Sequence, residues 1–355
     1  MSNTAWETLS NQAVGAAGIV YFVALVVYLA EWAALRQPAA ERVLVGAGSA
    51  EASDGAAAPE ASSPGAAAPR AARVAFLGRL GLLLTAIACA AHFVALVGRG
   101  MAADPNRVPW GNMYEFTLSG TFVVALLYLV LYKKFALGWM GPLVVGFVVA
   151  TLMVAVIWLY DAVAPLTESL NSPWLVIHVI SAVIATGAFS LGGIVSIVYL
   201  VRMRAQRRAA AAGTELGGWL ARVPQLDALD RLAYRVHAFA FPVWTFAVLI
   251  TGPIWAHEAW SRYWNWDPKE VWAFITWVVY AGYLHARATA GWKGRKAAVL
   301  ALVGVATLWF NFIGINYFST TSQHSYAAER VVDATTGAAG QVVEATIGSV
   351  AEPLF

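Results

Sequence analysis

The sequence predicts an all-α polytopic membrane protein of about eight transmembrane helices, with a tryptophan-rich loop outside the membrane. Three observations carry that prediction. The 355 residues are 60% apolar and only 12% charged, with a mean hydropathy of +0.64; a soluble domain carries about a quarter charged residues. Apolar runs of about twenty residues recur along the chain, each long enough for a hydrocarbon core of about 30 Å. Between two of them, Trp255 to Trp272 reads WAHEAWSRYWNWDPKEVW, denser in aromatic rings than an interfacial belt requires.

The runs fall at about 13–35, 75–97, 114–132, 138–160, 173–201, 236–256, 268–288 and 297–317. No signal-peptide cleavage pattern precedes the first, so residues 1–36 are expected to stay as a membrane anchor. Residues 37–74 include QPAAERVLVGAGSAEASDGAAAPEASSPGAAAPR. That Ala/Pro/Gly/Ser composition cannot bury a core, which predicts a disordered cytoplasmic linker. The third run, starting near Glu115, is the shortest. Ser172-Pro173 supplies an N-cap and a first-turn proline for the fifth. Asp267-Pro268-Lys269-Glu270 supplies N-cap, N1 proline and N3 glutamate for the seventh, a capping box whose first duty is structural. Residues 75–326 are expected to form one membrane core and 327–355 an extracytoplasmic tail.

Charge gives the orientation. With the N-terminus outside, all of the 23 Lys and Arg fall in inner loops except Arg99, Arg107, Arg262, Lys269 and Arg330. The positive-inside rule therefore puts both termini and the tryptophan-rich loop on the extracytoplasmic face of the plasma membrane. One cysteine, Cys89, and no CxxC exclude thiol–disulfide chemistry on this chain. Nothing in the composition suggests a nucleic-acid partner.

Trp255, Trp260, Trp264 and Trp266 read as a flat aromatic shelf, the surface on which a planar, apolar and charged ligand such as heme would lie. Six histidines are present. His178 lies roughly 7.5 Å below the start of the fifth run, and His324 follows the last run; both are expected at the outer surface, on either side of the shelf. Two axial heme ligands would need that arrangement. His285 lies roughly 25 Å down the seventh run from Pro268, too deep to share that site; it is either a second site or a snorkelling structural residue. His92 reads as a helix–helix hydrogen bond, an accessory ligand or a propionate partner, and His237 as interfacial. His257 sits in the shelf. Arg99 and Arg107 are either propionate partners or solvated loop charges.

Trp255 to Arg287 resembles the tryptophan-rich "WWD" signature of the System II cytochrome c biogenesis family CcsA, called ResC in Gram-positive bacteria. PWGNMYEF at 109–116, SPWLVIHV at 172–179 and HSY at 324–326 agree with the family in order and spacing. The resemblance covers most of the chain from residue 75 onward. It implies a multi-pass protein that carries heme b across the membrane. The heme would be presented outside for covalent attachment to the CxxCH of apocytochrome c, with a ResB-type membrane partner. The chain would then be a subunit of a holocytochrome c synthase (heme lyase) complex.

By resemblance, His178 and His324 are the external heme ligands, and His285 is the intramembrane ligand of a transit heme shared with ResB. Trp260, Trp264, Trp266 and Asp267 match the shelf. Two positions depart from the family: His257 replaces a frequent asparagine, and STTSQ replaces the apolar stretch before His324. An exporter of heme or another metabolite without ligation chemistry is the alternative. A System I relative such as CcmC or CcmF fits the DPKE ending and the HSY block less well. A cytochrome b subunit is disfavoured because no run carries two histidines.

Overall fold

The structure, a computed structural model, describes residues 1–35, 64–163, 172–319 and 322. Eight long helical segments account for them: α1 Asn3–Ala34, α2 Pro64–Ala102, α3 Met113–Leu131 and α4 Leu137–Trp158, then α5 Pro173–Ala211, α6 Leu226–Trp260, α7 Pro268–Ala288 and α8 Arg295–Phe318. The described residues contain no strand. Seven of the eight are long and apolar enough to cross a membrane, so the chain is a multi-pass membrane protein. The exception is α7, a 21-residue helix packed on α6 and α8. Lys269 and Glu270 open it, His285 and Arg287 close it, and Trp272, Trp277, Tyr280 and Tyr283 lower its hydropathy. Its aromatic character, not a shortage of length, sets it apart from the count of eight.

The caps explain where the helices begin. Ser2 accepts from the Ala5 N–H at 3.2 Å, Asn112 from Glu115 at 2.9 Å and Ser172 from Trp174 at 3.1 Å. Each side chain meets an N–H that has no partner within the helix. Two boundaries differ from expectation. Helix α2 begins at Pro64, so the last part of the expected linker, 64–74, is helical; alanine and arginine favour the helix there. Helix α5 runs on to Ala211 through RMRAQRRAAA for the same reason. The rest of the expected linker, 37–63, and the segment from 323 onward, His324 included, lie outside the described residues.

Helix α1 packs most extensively on α2 and also on α4; α5 packs on α3, α6 and α8, and α7 packs on α8. One apolar core lies mainly among α1–α5 and a second among α5–α8. A third, smaller cluster joins Leu175, Val179, Val183 and Trp255, backed by Trp110 and Trp260. It sits where the starts of α3 and α5 meet the end of α6, which is what positions the site.

Two helices contain a wide π turn, Phe246–Thr251 in α6 and Phe310–Gly314 in α8. Both turns border the same cavity. An extra residue per turn shifts the carbonyl register, and such turns gather at functional sites. In α6 the turn runs into Gly252-Pro253, where proline has no N–H to continue the α ladder.

Candidate functional site

One cavity of about 180 Å³ opens at the end of the bundle where α3, α5 and α7 start and α6 and α8 finish; a second, of about 30 Å³, lies against it deeper among α3, α4, α5 and α8. The larger wall is chiefly apolar and aromatic, with Trp110, Trp244, Trp255, Trp264, Trp309 and Phe312 among its residues. A few polar groups punctuate it: His178, Lys269, Glu270, Asn311 and Asn316. That composition suits a large, flat, mostly apolar ligand with a small number of polar points.

His178 is held by α6. Its ring Nδ1 lies 2.9 Å from the carbonyl oxygen of Ala247. A carbonyl can only accept, so Nδ1 carries the proton and the lone pair falls on Nε2. Ala247 lies inside the π turn, and its oxygen also takes the Gly252 N–H. The ring stacks on Trp255 with centroids 5.9 Å apart and planes 18° apart. A side chain at Gly252 would sit 3.2 Å from two His178 ring atoms and 3.0 Å from the Ala247 oxygen. Glycine is what lets the imidazole reach the turn. An Nδ1–H anchored on a backbone carbonyl is the usual support for a histidine that ligates through Nε2.

The tryptophan-rich segment divides its labour. Trp255, 3% exposed, and Trp264 form cavity wall. Trp260 backs Trp255 edge to face at 4.9 Å. Trp266 does not line the cavity; it is 71% exposed, has φ of 56°, and meets Trp264 edge to face at 6.0 Å. A bulky residue in the left-handed region is strained, and here the first turn of α7 holds the chain in that conformation. Asp267 accepts from the Lys269 N–H at 2.8 Å, while Glu270 accepts from the N–H groups of Asp267 at 3.2 Å and Asn265 at 2.9 Å. This is the expected capping box. Asp267 also accepts from the Ser322 hydroxyl at 2.9 Å, tying the start of α7 to the chain just beyond α8.

The opposite wall rests on a buried ion cluster. Glu115, with no exposed side-chain surface, pairs with Arg99 at 3.0 Å and with Arg107 at 2.6 Å. It also accepts from the Gly111 N–H at 2.7 Å. Arg99, equally buried, reaches the Asp161 carbonyl and lies 3.6 Å from Glu7. The cluster fastens the loop after α2 to the first turn of α3. Both Arg99 and Arg107, read from sequence as propionate partners or solvated loop charges, are therefore committed to Glu115. Neither guanidinium lines the cavity.

The remaining histidines scatter. His285 is exposed near the far end of α7, about 25 Å from Pro268 at 1.5 Å per residue. His257 is exposed and stacks on Tyr263 at 4.3 Å, outside the cavity. His92 is fully buried between Tyr21 and Phe122, against the Leu118 backbone of α3. His237, expected at the inner interface, is also fully buried, among Phe189, Tyr280 and Tyr283. A side chain at Gly192 would lie 2.6 Å from its ring; that gap admits the imidazole to the core. Neither buried histidine touches the cavity.

Of the eight residues nominated from sequence, His178, Trp255 and Trp264 line the cavity, and Trp260, Trp266 and Asp267 support or flank it. His285 is remote and His324 lies outside the described residues. Sequence reading gave no role to Lys269 beyond its place in the capping tetrapeptide, and none to Trp110, Asn311 or Asn316. Trp110 sits in the quoted PWGNMYEF block. Asn311 and Asn316 carried their own signal, as two amides inside an apolar run.

Residues 110–322 match the family described as Cytochrome C assembly protein. The chain is 33% identical over 260 residues to the cytochrome c biogenesis protein CcsA of Guillardia theta, covering 70% of this chain and 85% of the relative. It is 31% identical to that of Porphyra purpurea, covering 72% and 89%. Against that of Synechococcus elongatus identity rises to 37%, over 46% of this chain and 60% of the relative. Among solved structures, cytochrome c heme lyase CcmF shares the fold at a TM-score of 0.55 and 15% identity. The match covers 89% of this chain and about half of CcmF, 49%.

Proposed function

This chain belongs to the CcsA family of cytochrome c assembly proteins, and from that premise we propose that its aromatic cavity holds heme b and presents it to apocytochrome c. The observation that carries the reading is His178: an imidazole in the wall of an apolar aromatic cavity, its Nδ1–H anchored on Ala247. The residues suit the group. Tryptophan rings give the porphyrin a flat apolar wall, Gly252 makes room for the ligating ring, and the Trp264 N–H and Asn311 Oδ1 in the same wall are buried without hydrogen-bond partners of their own. His178 and His324 are the two axial ligands on the extracytoplasmic face, with both chain termini on that side of the plasma membrane.

Heme arrives from the cytoplasmic side by way of His285, whose exposed position on α7 suits a site shared with a ResB-type partner. Heme is the substrate. Each cysteine thiol of the CxxCH peptide adds across a heme vinyl group: the sulfur bonds to one vinyl carbon, a proton goes to the other, and no electrons leave the pair. The residues of this chain contribute position and water exclusion. The peptide's own histidine then takes an axial place, which releases the product. In this reading the chain is one subunit of a heme lyase complex with its ResB-type partner.

The test is visible spectroscopy of the purified chain, alone and with its partner, in oxidised and reduced forms. A low-spin b-type spectrum in the wild type that collapses in His178→Ala/His324→Ala, or needs added imidazole there, supports the reading. An unchanged spectrum in the double variant moves the ligands elsewhere. A chain that moves heme without ever holding it is an exporter.

A further inference from the structure

The end of the bundle away from the cavity carries a surface of a different kind. Asp230 of α6 accepts from Arg287 of α7 at 2.7 Å and from the Gly294 N–H, just before α8, at 2.9 Å. Both bonds go to Oδ1, so three helices are tied at one level. Arg231 follows Asp230 directly, and Lys293 and Arg295 flank Gly294. The tie therefore brings together two cationic groups: Arg231 and Arg235 on α6, and Lys293, Arg295 and Lys296 on the turn into α8. All five residues are exposed.

The fold offers these cations little compensation. The Asp230 carboxylate is spent on Arg287 and Gly294. Among the described residues, the ion pairs use Arg99, Arg107, Arg222 and Arg287 and leave the five out. Asp227, exposed one turn before Arg231, adds a single negative charge. Arg231 and Arg235 stand four apart on one helix face, where like charges repel. Lys293, Arg295 and Lys296 are crowded into four positions. Such a surface calls for anions from outside the chain.

Its depth says which anions are there. Helix α7 has 21 residues and is about 31 Å long, the thickness of a hydrocarbon core. The turn that follows it meets the headgroups. Two half-exposed aromatic residues mark the same level, Tyr234 and Trp292. The Arg287 guanidinium lies 4.7 Å from the Tyr234 ring centroid and the Lys296 ammonium 5.8 Å from that of Trp292. Tyrosine and tryptophan settle at the membrane–water interface.

We propose that Arg231, Arg235, Lys293, Arg295 and Lys296 form a binding surface for an anionic phospholipid headgroup, which bridges the start of α6 to the turn between α7 and α8. Guanidinium forks match phosphate oxygens in pairs and the ammoniums add point charge. Basic groups gathered between helices at the membrane surface hold such lipids. The bound lipid completes what Asp230 begins, holding the ends of α6, α7 and α8 at one level. The surface lies at the opposite end from the cavity and is independent of what the cavity binds.

The probes are phosphatidylglycerol and phosphatidylcholine with identical acyl chains, each titrated into the full-length chain in detergent and counted by native mass spectrometry. A cation near an anionic headgroup is worth about fivefold in affinity, so the wild type is expected to bind the first phosphatidylglycerol at least about tenfold more tightly than phosphatidylcholine. Arg231→Gln/Arg235→Gln/Lys293→Gln/Arg295→Gln/Lys296→Gln should lose that preference. Lys133→Gln/Lys134→Gln, which removes two exposed cations of the α3–α4 turn, should keep it. Equal affinity for the two lipids in the wild type overturns the proposal and needs no variant to fold. A preference that survives the five glutamines overturns it, and so does one that the Lys133/Lys134 variant abolishes as fully.

Discussion

Replacing Glu115 by glutamine should loosen the α2–α3 wall of the cavity. The carboxylate takes a 3.0 Å bond from Arg99, bonds of 2.6 and 3.2 Å from Arg107, and a 2.7 Å bond from the Gly111 N–H. Glutamine keeps one acceptor oxygen but turns an NH₂ toward donors, and it removes the charge that two guanidiniums share. Arg99 has no exposed side-chain surface and Arg107 is 11% exposed, so solvent compensates neither well. Breaking such a buried pair by removing one partner costs about 3–5 kcal/mol. Thermal unfolding of the purified chain in detergent reads the loss. Hemin titration reads its consequence, because Trp110, Asn112 and Met113 line the cavity from the segment Glu115 anchors. Adding Arg107→Gln to Glu115→Gln should recover part of the loss, since one uncompensated cation goes with it; the double-mutant cycle isolates that coupling. If Glu115→Gln unfolds within about 1 kcal/mol of wild type, or the second substitution only adds damage, the cluster is not what holds this wall.

Three further predictions come from other residues. Gly252→Ala places a methyl 3.0–3.2 Å from the Ala247 oxygen and the His178 ring; overpacking of about 1–3 kcal/mol should appear with a weakened or altered Soret band, whereas Gly282→Ala, with open space around it, should leave the band unchanged. Asp267→Ala removes a cap worth about 1 kcal/mol and a hydroxyl bond worth about as much again. Ser322→Ala should cost only the second part, and equal thermal losses in the two variants would show that the cap contributes nothing. His92→Leu and His237→Leu each remove a fully buried imidazole that lies outside the cavity, against the Leu118 and Gly192 backbones respectively. Each should cost no more than about 1–3 kcal/mol, for the backbone acceptor left unmet, and keep the heme spectrum intact; loss of Soret absorbance in either would place a ligand there.

The sequence alone determined the helical membrane architecture, because length and hydropathy are properties of contiguous residues that a bilayer reads segment by segment. It set the start of α7 to the residue, since Asp267, Pro268 and Glu270 make their cap within four positions. It also identified the tryptophan-rich segment and His178, because that density of aromatic rings stands out without any partner. Partners distant in sequence were a different matter. Arg99 and Arg107 read as outward cations until Glu115 folded between them. His237 read as interfacial from its neighbours Arg231 and Arg235, yet its own face of α6 turns into the core. Lys269 read as one letter of a capping motif, and only the approach of Asn316 from α8 brings its ammonium to the cavity wall. Local interactions within one helix are written in adjacent residues. Which charge is neutralised and which faces a ligand depends on what another helix brings across, and that is decided only by packing.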